Sequence, residues 1–452
     1  MNPTQYFRGK KITVMGLGLL GRGVGDAEYL AECGAELIVT DLKSRADLAE
    51  SVARLEKFSN IQFVLGEHRL EDFRGRDLIL KAAGVPLDSP YIAEAKKNDI
   101  PVRMSADLFM EYSGIPTIGI TGTRGKSTVT HMVAAILEAA GKRVLLGGNV
   151  RGVSTLALLK EVDDPSMPGT SVAVLELDSW QCQGLGEAKI SPHIAVFTTF
   201  YPDHLNYYGS TSLTTGHALD AYLADKANIF LNQIESDTFI LGSQAATIVR
   251  EKYQGEILAD LVIASEDDIP AAWQLRIPGE HNRYDAGLAL MAARTQGVPD
   301  EISRAALESF AGVPGRLELV REISGVKIYN DTNSTTPEAT LAALEALASP
   351  EDKNLILIMG GNDKSLDMNK LLLEINKRAK RVIFLPGTGT DRVLEFLPGA
   401  SVFDSLEKAV AEAYRSAGPG DTILFSPAFT SFGMFKNEYD RGDQFNAIIK
   451  AL

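Results

Sequence analysis

The residues best suited to chemistry form the run Gly122-Thr123-Arg124-Gly125-Lys126-Ser127-Thr128, directly after the apolar segment Pro116–Thr121. The backbone N–H groups of such a loop, with the dipole of the helix behind it, cradle phosphates. Lys126 would neutralise the β- and γ-oxygens, and the Ser127 hydroxyl would ligate Mg²⁺. The spacing departs from the common phosphate-loop pattern, because Ile120 stands five positions before Gly125 where that pattern has glycine. A second phosphate-type turn, Gly16-Leu17-Gly18-Leu19-Leu20-Gly21, follows Lys11–Met15, and Asp41 ends another apolar run 20 residues after Gly21. This pattern provides glycines for a tight turn, a helix N-terminus for a pyrophosphate and an acid for a ribose hydroxyl. It suits NAD, and equally any other diphosphate, including that of a UDP-sugar.

Single residues carry less. Glu176 ends an apolar strand, where an acid is costly to bury unless paired or bound to metal; it reads as a solvated strand end or a metal ligand. His204 follows another strand, on the side where open α/β sheets keep their ligands, and by itself is an ordinary histidine. Lys226 lies in a helical stretch and reads as a solvated helix-face charge. Asp331, Gly360–Lys364 and Ser426-Pro427-Ala428 read as strand-end turns.

These residues are positioned by a grammar of strand, glycine turn and helix that occurs three times. Strands are expected at Lys11–Met15, Leu37–Thr40, Leu78–Leu80, Pro116–Thr121, Ser171–Leu177, Ile194–Thr199, Val326–Asn330, Leu355–Met359, Arg381–Leu385 and Thr422–Ser426. Behind Lys126, the residues Val129, Met132, Val133, Ile136 and Leu137 recur at helical spacing, with Gly141 as the stop. Strands alternating with helices imply parallel sheets wound by right-handed crossovers. The expected fold is therefore α/β, with three domains of mostly parallel sheet flanked by helices, at residues 1–112, 113–315 and 316–452.

A chain of 452 residues is too long for one ordinary core. Its net charge of −14 argues against nucleic acid, which demands clustered Lys and Arg. No apolar stretch reaches membrane-spanning length, and the polar start Met1–Lys11 shows no secretory signal. Cys33 and Cys182 read as core residues in a reducing compartment. The expectation is a cytoplasmic monomer acting on small molecules, without membrane or nucleic-acid partners.

Taken in order, the chain resembles the Mur ligase family along its whole length. The resemblance rests on Gly16–Gly21, Thr121–Thr128, Leu175-Glu176-Leu177, Asp203-His204-Leu205, Lys226-Ala227-Asn228, Gly279-Glu280-His281-Asn282, Gly312–Arg316, Asn330-Asp331, Gly360–Lys364, Ser426-Pro427-Ala428 and Phe435-Lys436-Asn437. It implies a Rossmann-like first domain for a UDP-muropeptide, a central ATPase domain, and a Rossmann-like third domain that closes over the amino acid. The implied reaction converts the muropeptide carboxylate to an acyl phosphate with ATP and then joins it to glutamate, in the D form.

By the same resemblance, Gly16, Leu17, Asp41, Leu42, Lys43 and Gly84 would hold UDP, and Asn149 the muropeptide. Gly122, Thr123, Arg124, Gly125, Lys126, Ser127 and Thr128, with Asn282, Arg316 and Asp331, would bind ATP. Ser127 and Glu176 would ligate one Mg²⁺; His204 and a carbamoylated Lys226 would ligate a second. Thr335, Lys364 and Ser431 would receive the amino acid. Lys126, Glu176, His204, Lys226 and Arg316 would be catalytic. Arg124 stands where the family usually has Asn, and Asp331-Thr-Asn-Ser-Thr-Thr-Pro337 replaces the family's usual residues after the Asp. The competing readings are an L-glutamate ligase, a folylpolyglutamate synthetase, an NAD-dependent oxidoreductase built on the Gly16 turn, and a nucleotide-binding regulator without catalysis.

Overall fold

The computed structural model describes residues 3–18, 21–162, 171–203, 205–208, 215–348, 350–431 and 433–452. The chain forms two compact units, Met1–Pro270 with Asp285–Ala306, and Ala271–Tyr284 with Leu307–Leu452.

The first unit contains two parallel sheets. One is built from β1 (Lys11–Met15), β2 (Glu36–Asp41), β3 (Ile61–Leu65), β4 (Leu78–Lys81) and β5 (Val102–Arg103), in the order β3-β2-β1-β4-β5. The other consists of β6 (Thr117–Thr121), β7 (Arg143–Gly148), β8 (Ser171–Glu176), β9 (Ile194–Phe197), β10 (Thr238–Gly242) and β11 (Asp260–Ala264), in the order β11-β10-β9-β6-β8-β7. Every residue of β6 is buried, because helices cover both faces of the sheet; such strands read as continuous apolar runs rather than alternations. The helix Lys126–Ala139 buries Val129, Met132, Val133, Ile136 and Leu137, the set its spacing predicts.

The second unit holds β12 (Glu318–Ile323), β13 (Val326–Asn330), β14 (Leu355–Gly360), β15 (Ala379–Leu385), β16 (Ser401–Val402) and β17 (Thr422–Phe425), ordered β12-β13-β17-β14-β15-β16. All pairs are parallel except β12 with β13. These two form a hairpin whose turn residues, Ser324 and Gly325, both have positive φ (51° and 77°), the signature of a two-residue turn matched to strand twist. β12 has no apolar run, since most of its side chains are exposed or half-buried, and reading apolar runs alone misses it.

Candidate active site

β6 lies between β8 and β9, with Ile120 opposite Glu176 and Thr121 opposite Phe197. The loop Gly122–Gly125 leaves the carboxyl end of this central strand, where parallel sheets keep their ligands. Gly122 has φ 142°, and a Cβ there would strike the Thr198 hydroxyl; Gly125 has φ 84°, and a Cβ would strike the Asp285 carboxylate. The loop is stapled to the segment after β9. Thr123 N–H donates to Thr199 O at 2.7 Å, Arg124 N–H to Thr199 Oγ1 at 2.9 Å, and Thr198 Oγ1 to Arg124 O at 2.5 Å. Arg124 also pairs with Asp203 at 3.2 Å.

The helix Lys126–Ala139 starts at Gly125 with no side-chain cap. Its first N–H groups therefore face the loop as an anion site. Lys126 folds over that loop, its Nζ donating to Gly122 O at 3.0 Å and Thr123 O at 3.1 Å. Ser127 is buried in the first turn, followed by half-buried Thr128.

Behind the loop lie an acid and an amine. Glu176 is 4% exposed, so the reading as a solvated strand end falls away. Asn149 donates from Nδ2 to Glu176 Oε1 at 3.4 Å and from its backbone N–H to Glu176 O at 2.6 Å. Lys226, at the end of the helix Thr215–Ala227, is 1% exposed. The expectation of a solvated helix-face lysine is wrong, because this face of the helix packs inward. Its Nζ donates to Thr121 Oγ1 at 3.3 Å and lies 4.9 Å from the Tyr222 ring centre. Burial, and then the charge of Lys126, push its pKa from 10.5 down to about 7. Burial drives the neighbouring Cys182 thiol the other way, up to about 12. His204 lies outside the described residues. Among the described residues, no group of three His, Cys, Asp or Glu side chains could hold a metal ion unaided.

The glycine turn after β1 lines a cleft of about 200 Å³ in the same unit. Gly16, Leu17, Gly18 and Gly84 form one side; Gly148 at the end of β7, Thr155 from the loop after it and Gln181 from the helix Ser179–Ala188 also line it. Asp41 is committed to the turn itself. Its Oδ2 accepts Leu17 N–H at 2.9 Å and Gly18 N–H at 3.0 Å, and its Oδ1 accepts Lys43 N–H at 2.9 Å. Leu42 and Lys43 are exposed.

Two cations of this cleft escaped the sequence reading. Arg22 opens the helix Arg22–Glu32 and donates from Nη1 to Asn149 Oδ1 at 2.5 Å. Lys81 is 3% exposed and donates to Val85 O at 3.0 Å; burial lowers its pKa to about 8. A lysine closing the apolar run Leu78–Leu80 was the available signal for Lys81. Arg22 had none, since one arginine in a helical first turn is unremarkable.

In the second unit, Asp331 is buried at the end of β13. Its Oδ2 accepts Ser426 Oγ–H at 2.6 Å and its Oδ1 accepts Leu317 N–H at 3.1 Å; burial raises its pKa to about 6. It is thus no simple turn residue. Asn282 is buried and donates from Nδ2 to Pro278 O at 2.5 Å, while Arg316 is exposed. Lys364 Nζ donates to Thr335 Oγ1 at 3.0 Å, which unites two of the three residues expected to receive the amino acid. The third, Ser431, follows Thr430, which pairs through its backbone with Asn362 on the Lys364 loop at 3.1 and 3.2 Å. Fully buried Arg441 ties the segments together, donating to Thr332 O at 2.7 Å, Thr332 Oγ1 at 3.0 Å and Phe429 O at 3.3 Å.

Three family domains match the chain in order: a Mur ligase MurD-like N-terminal domain at residues 10–104, a Mur ligase middle domain at 120–258, and a Mur ligase glutamate ligase domain at 315–429. Among similar proteins, the UDP-N-acetylmuramoylalanine–D-glutamate ligase of Roseiflexus sp. (strain RS-1) is 36% identical over 98% of this chain and 99% of its own. The protein of that name from Geobacillus kaustophilus is 33% identical, with both chains fully covered. Of solved structures, UDP-N-acetylmuramate–alanine ligase from Thermotoga maritima superposes with a TM-score of 0.62 at 18% identity, over 98% of this chain and 99% of that one. MurF ligase from the same organism, in complex with ADP, gives 0.59 at 16% identity over 100% and 98%. At such identities the structural likeness shows the fold. The relatives at 33–36% identity, aligned over nearly the whole chain, show more: this chain belongs to the Mur ligase family.

Proposed function

We propose that the chain is an ATP-dependent ligase that joins D-glutamate to the carboxylate of UDP-N-acetylmuramoyl-L-alanine, a step of peptidoglycan precursor synthesis. The observation that carries this reading is the uncapped phosphate loop with Lys226 buried behind it, its amine pKa brought down to about 7. The names of the relatives supply the substrates.

A carboxylate is a poor acyl donor, so ATP first converts it to an acyl phosphate. Gly122–Thr128 would cradle the phosphates, with Lys126 and Arg316 offsetting charge on the phosphoryl group as it moves. Asn282 and Asp331 would position the rest of the nucleotide. The amine of glutamate, received by Thr335, Lys364 and Ser431, then attacks the acyl carbon, and inorganic phosphate leaves. Gly16, Leu17, Gly84 and Asn149 would hold the UDP-muropeptide, with Asp41, Leu42 and Lys43 shaping the uridine end.

Ser127 and Glu176 would hold one Mg²⁺, and His204 with Lys226 a second. Mg²⁺ would supply positive charge to the transferring phosphoryl group. An ammonium would repel that ion, whereas a neutral amine adds to CO₂ and releases a proton to give a carbamate, whose single negative charge is shared by two oxygens that suit a hard cation. Burial and Lys126 both favour the neutral amine at Lys226.

We read residues 1–112, 113–315 and 316–452 as the UDP-muropeptide, ATPase and amino-acid domains of a cytoplasmic monomer. Among the described residues no helix is long and apolar enough to cross a membrane. The test is phosphate release with UDP-N-acetylmuramoyl-L-alanine, ATP, Mg²⁺ and each glutamate enantiomer in turn. Release driven by D-glutamate is expected; release driven better by L-glutamate, or by neither, overturns the reading.

A further inference from the structure

Arg22 has no part in the reaction as outlined, yet it stands between its two halves. It lines the cleft of the first sheet beside Gly16, Leu17 and Gly18, at the start of a helix with no side-chain cap. Its Nη1 donates to Asn149 Oδ1 at 2.5 Å, and Asn149 Nδ2 donates to Glu176 Oε1 at 3.4 Å. Two side chains thus connect the nucleotide cleft to the carboxylate at the end of β8.

The polarity of this chain follows from the inventory of donors. A primary amide has one accepting and one donating end, and a guanidinium can only donate. Arg22 therefore claims the Asn149 oxygen and turns the NH₂ end toward Glu176. Without Arg22, the amide loses what distinguishes its two orientations on the cleft side. The flipped form sets an oxygen against a carboxylate. The planar guanidinium fork is also the side chain best matched to phosphate and carboxylate oxygens, and it faces a cleft suited to a diphosphate.

We propose that Arg22 is a positioning residue. It binds the negative charge of the UDP-linked substrate and, through Asn149, orients Glu176 for the metal. This rests on the ligase reading above. Two consequences separate it from a purely structural role: substrate affinity and Mg²⁺ requirement change together, and the KM for glutamate does not.

The experiment uses the full chain with Arg22→Met, Arg22→Lys, Asn149→Ala and the double variant Arg22→Met/Asn149→Ala. Calorimetry without ATP measures binding of UDP-N-acetylmuramoyl-L-alanine, and phosphate release measures the Mg²⁺ concentration for half-maximal rate. Loss of a charge-assisted hydrogen bond predicts about tenfold or more weaker binding in Arg22→Met, together with a raised Mg²⁺ requirement. Arg22→Lys, still a donor-only cation, recovers part of both and remains testable if the Met variant fails to fold. Because the pair acts as one unit, the double variant is no worse in Mg²⁺ requirement than the worse single variant. Unchanged substrate affinity, an unchanged Mg²⁺ requirement, or additive losses in the double variant each overturn the proposal alone. Wild-type protein that binds no UDP-muropeptide overturns the ligase reading and this proposal with it.

Discussion

Asp26 offers a quantitative test of how the cleft is built. It is 7% exposed and accepts hydrogen bonds from Ser105 Oγ at 2.7 Å and Ser154 Oγ at 2.6 Å. Both hydroxyls accept in turn from the chain at Leu156 and Ala157, so their protons are committed to the carboxyl group. Burial dominates and raises the Asp26 pKa from 3.8 to about 6, although both serines and Arg22 pull it down. Since the folded value exceeds the unfolded one, the folded state holds its proton to higher pH. Stability is then lost as pH rises from about 4 to about 6 and stays lost above. The displacement corresponds to a cost on the order of 3 kcal/mol at neutral pH.

Asp26→Asn keeps an acceptor for both hydroxyls and cannot ionise, so it removes that cost. Urea unfolding of both proteins at pH 4 and pH 8 measures it, on either side of the isoelectric point near 5.1. The gain from Asp26→Asn should rise from roughly 0.5 kcal/mol at pH 4 to about 3 kcal/mol at pH 8. A stability difference of the same size at both pH values would refute the account, because a change of packing does not titrate. So would a variant less stable than wild type at pH 8.

Lys126→Ala should reduce phosphate release at least a thousandfold while leaving the thermal midpoint within a few degrees, since its half-buried side chain donates to the loop carbonyls of Gly122 and Thr123 rather than filling the core; a folded, active variant removes the loop from the chemistry. For Lys226, with a pKa of about 7, falling pH protonates the amine and blocks carbamate formation. Ligation should therefore drop on the acid side of pH 7 and in CO₂-free buffer, and a crystal structure should show branched density beyond Nζ. An unmodified Lys226 in a fully active enzyme would end that assignment. Lys364→Ala should raise the KM for glutamate tenfold or more without changing that for ATP, through loss of the cation beside Thr335; equal changes in both would point to general disruption. Calorimetry on the full chain should detect UDP binding and no NAD binding, and the reverse would favour the oxidoreductase.

Much of this architecture is legible in local patterns. Central parallel strands are buried on both faces, so Leu355–Met359 stands out as an unbroken apolar run and Thr117–Thr121 as a run of small and apolar residues without a charge, and the helix behind Lys126 announces itself by period. Glycine turns that need positive φ, at Gly122 and Gly125, are legible because other residues would collide there. Edge elements are not. β12 and β11 carry mixed, half-exposed side chains, and what makes them strands is the neighbour they pair with.

The sequence by itself determined the alternation of strand and helix, the two phosphate-type turns, and the family, because each is written in residue types at short spacing. Only the tertiary structure decided which charges are buried. Lys226 is 105 positions from the Thr121 hydroxyl it meets, Arg22 is 127 from Asn149, and Arg441 is 109 from Thr332. Burial and partnership across such distances are properties of packing, and they set whether a lysine is an exposed ammonium or an amine poised near neutrality.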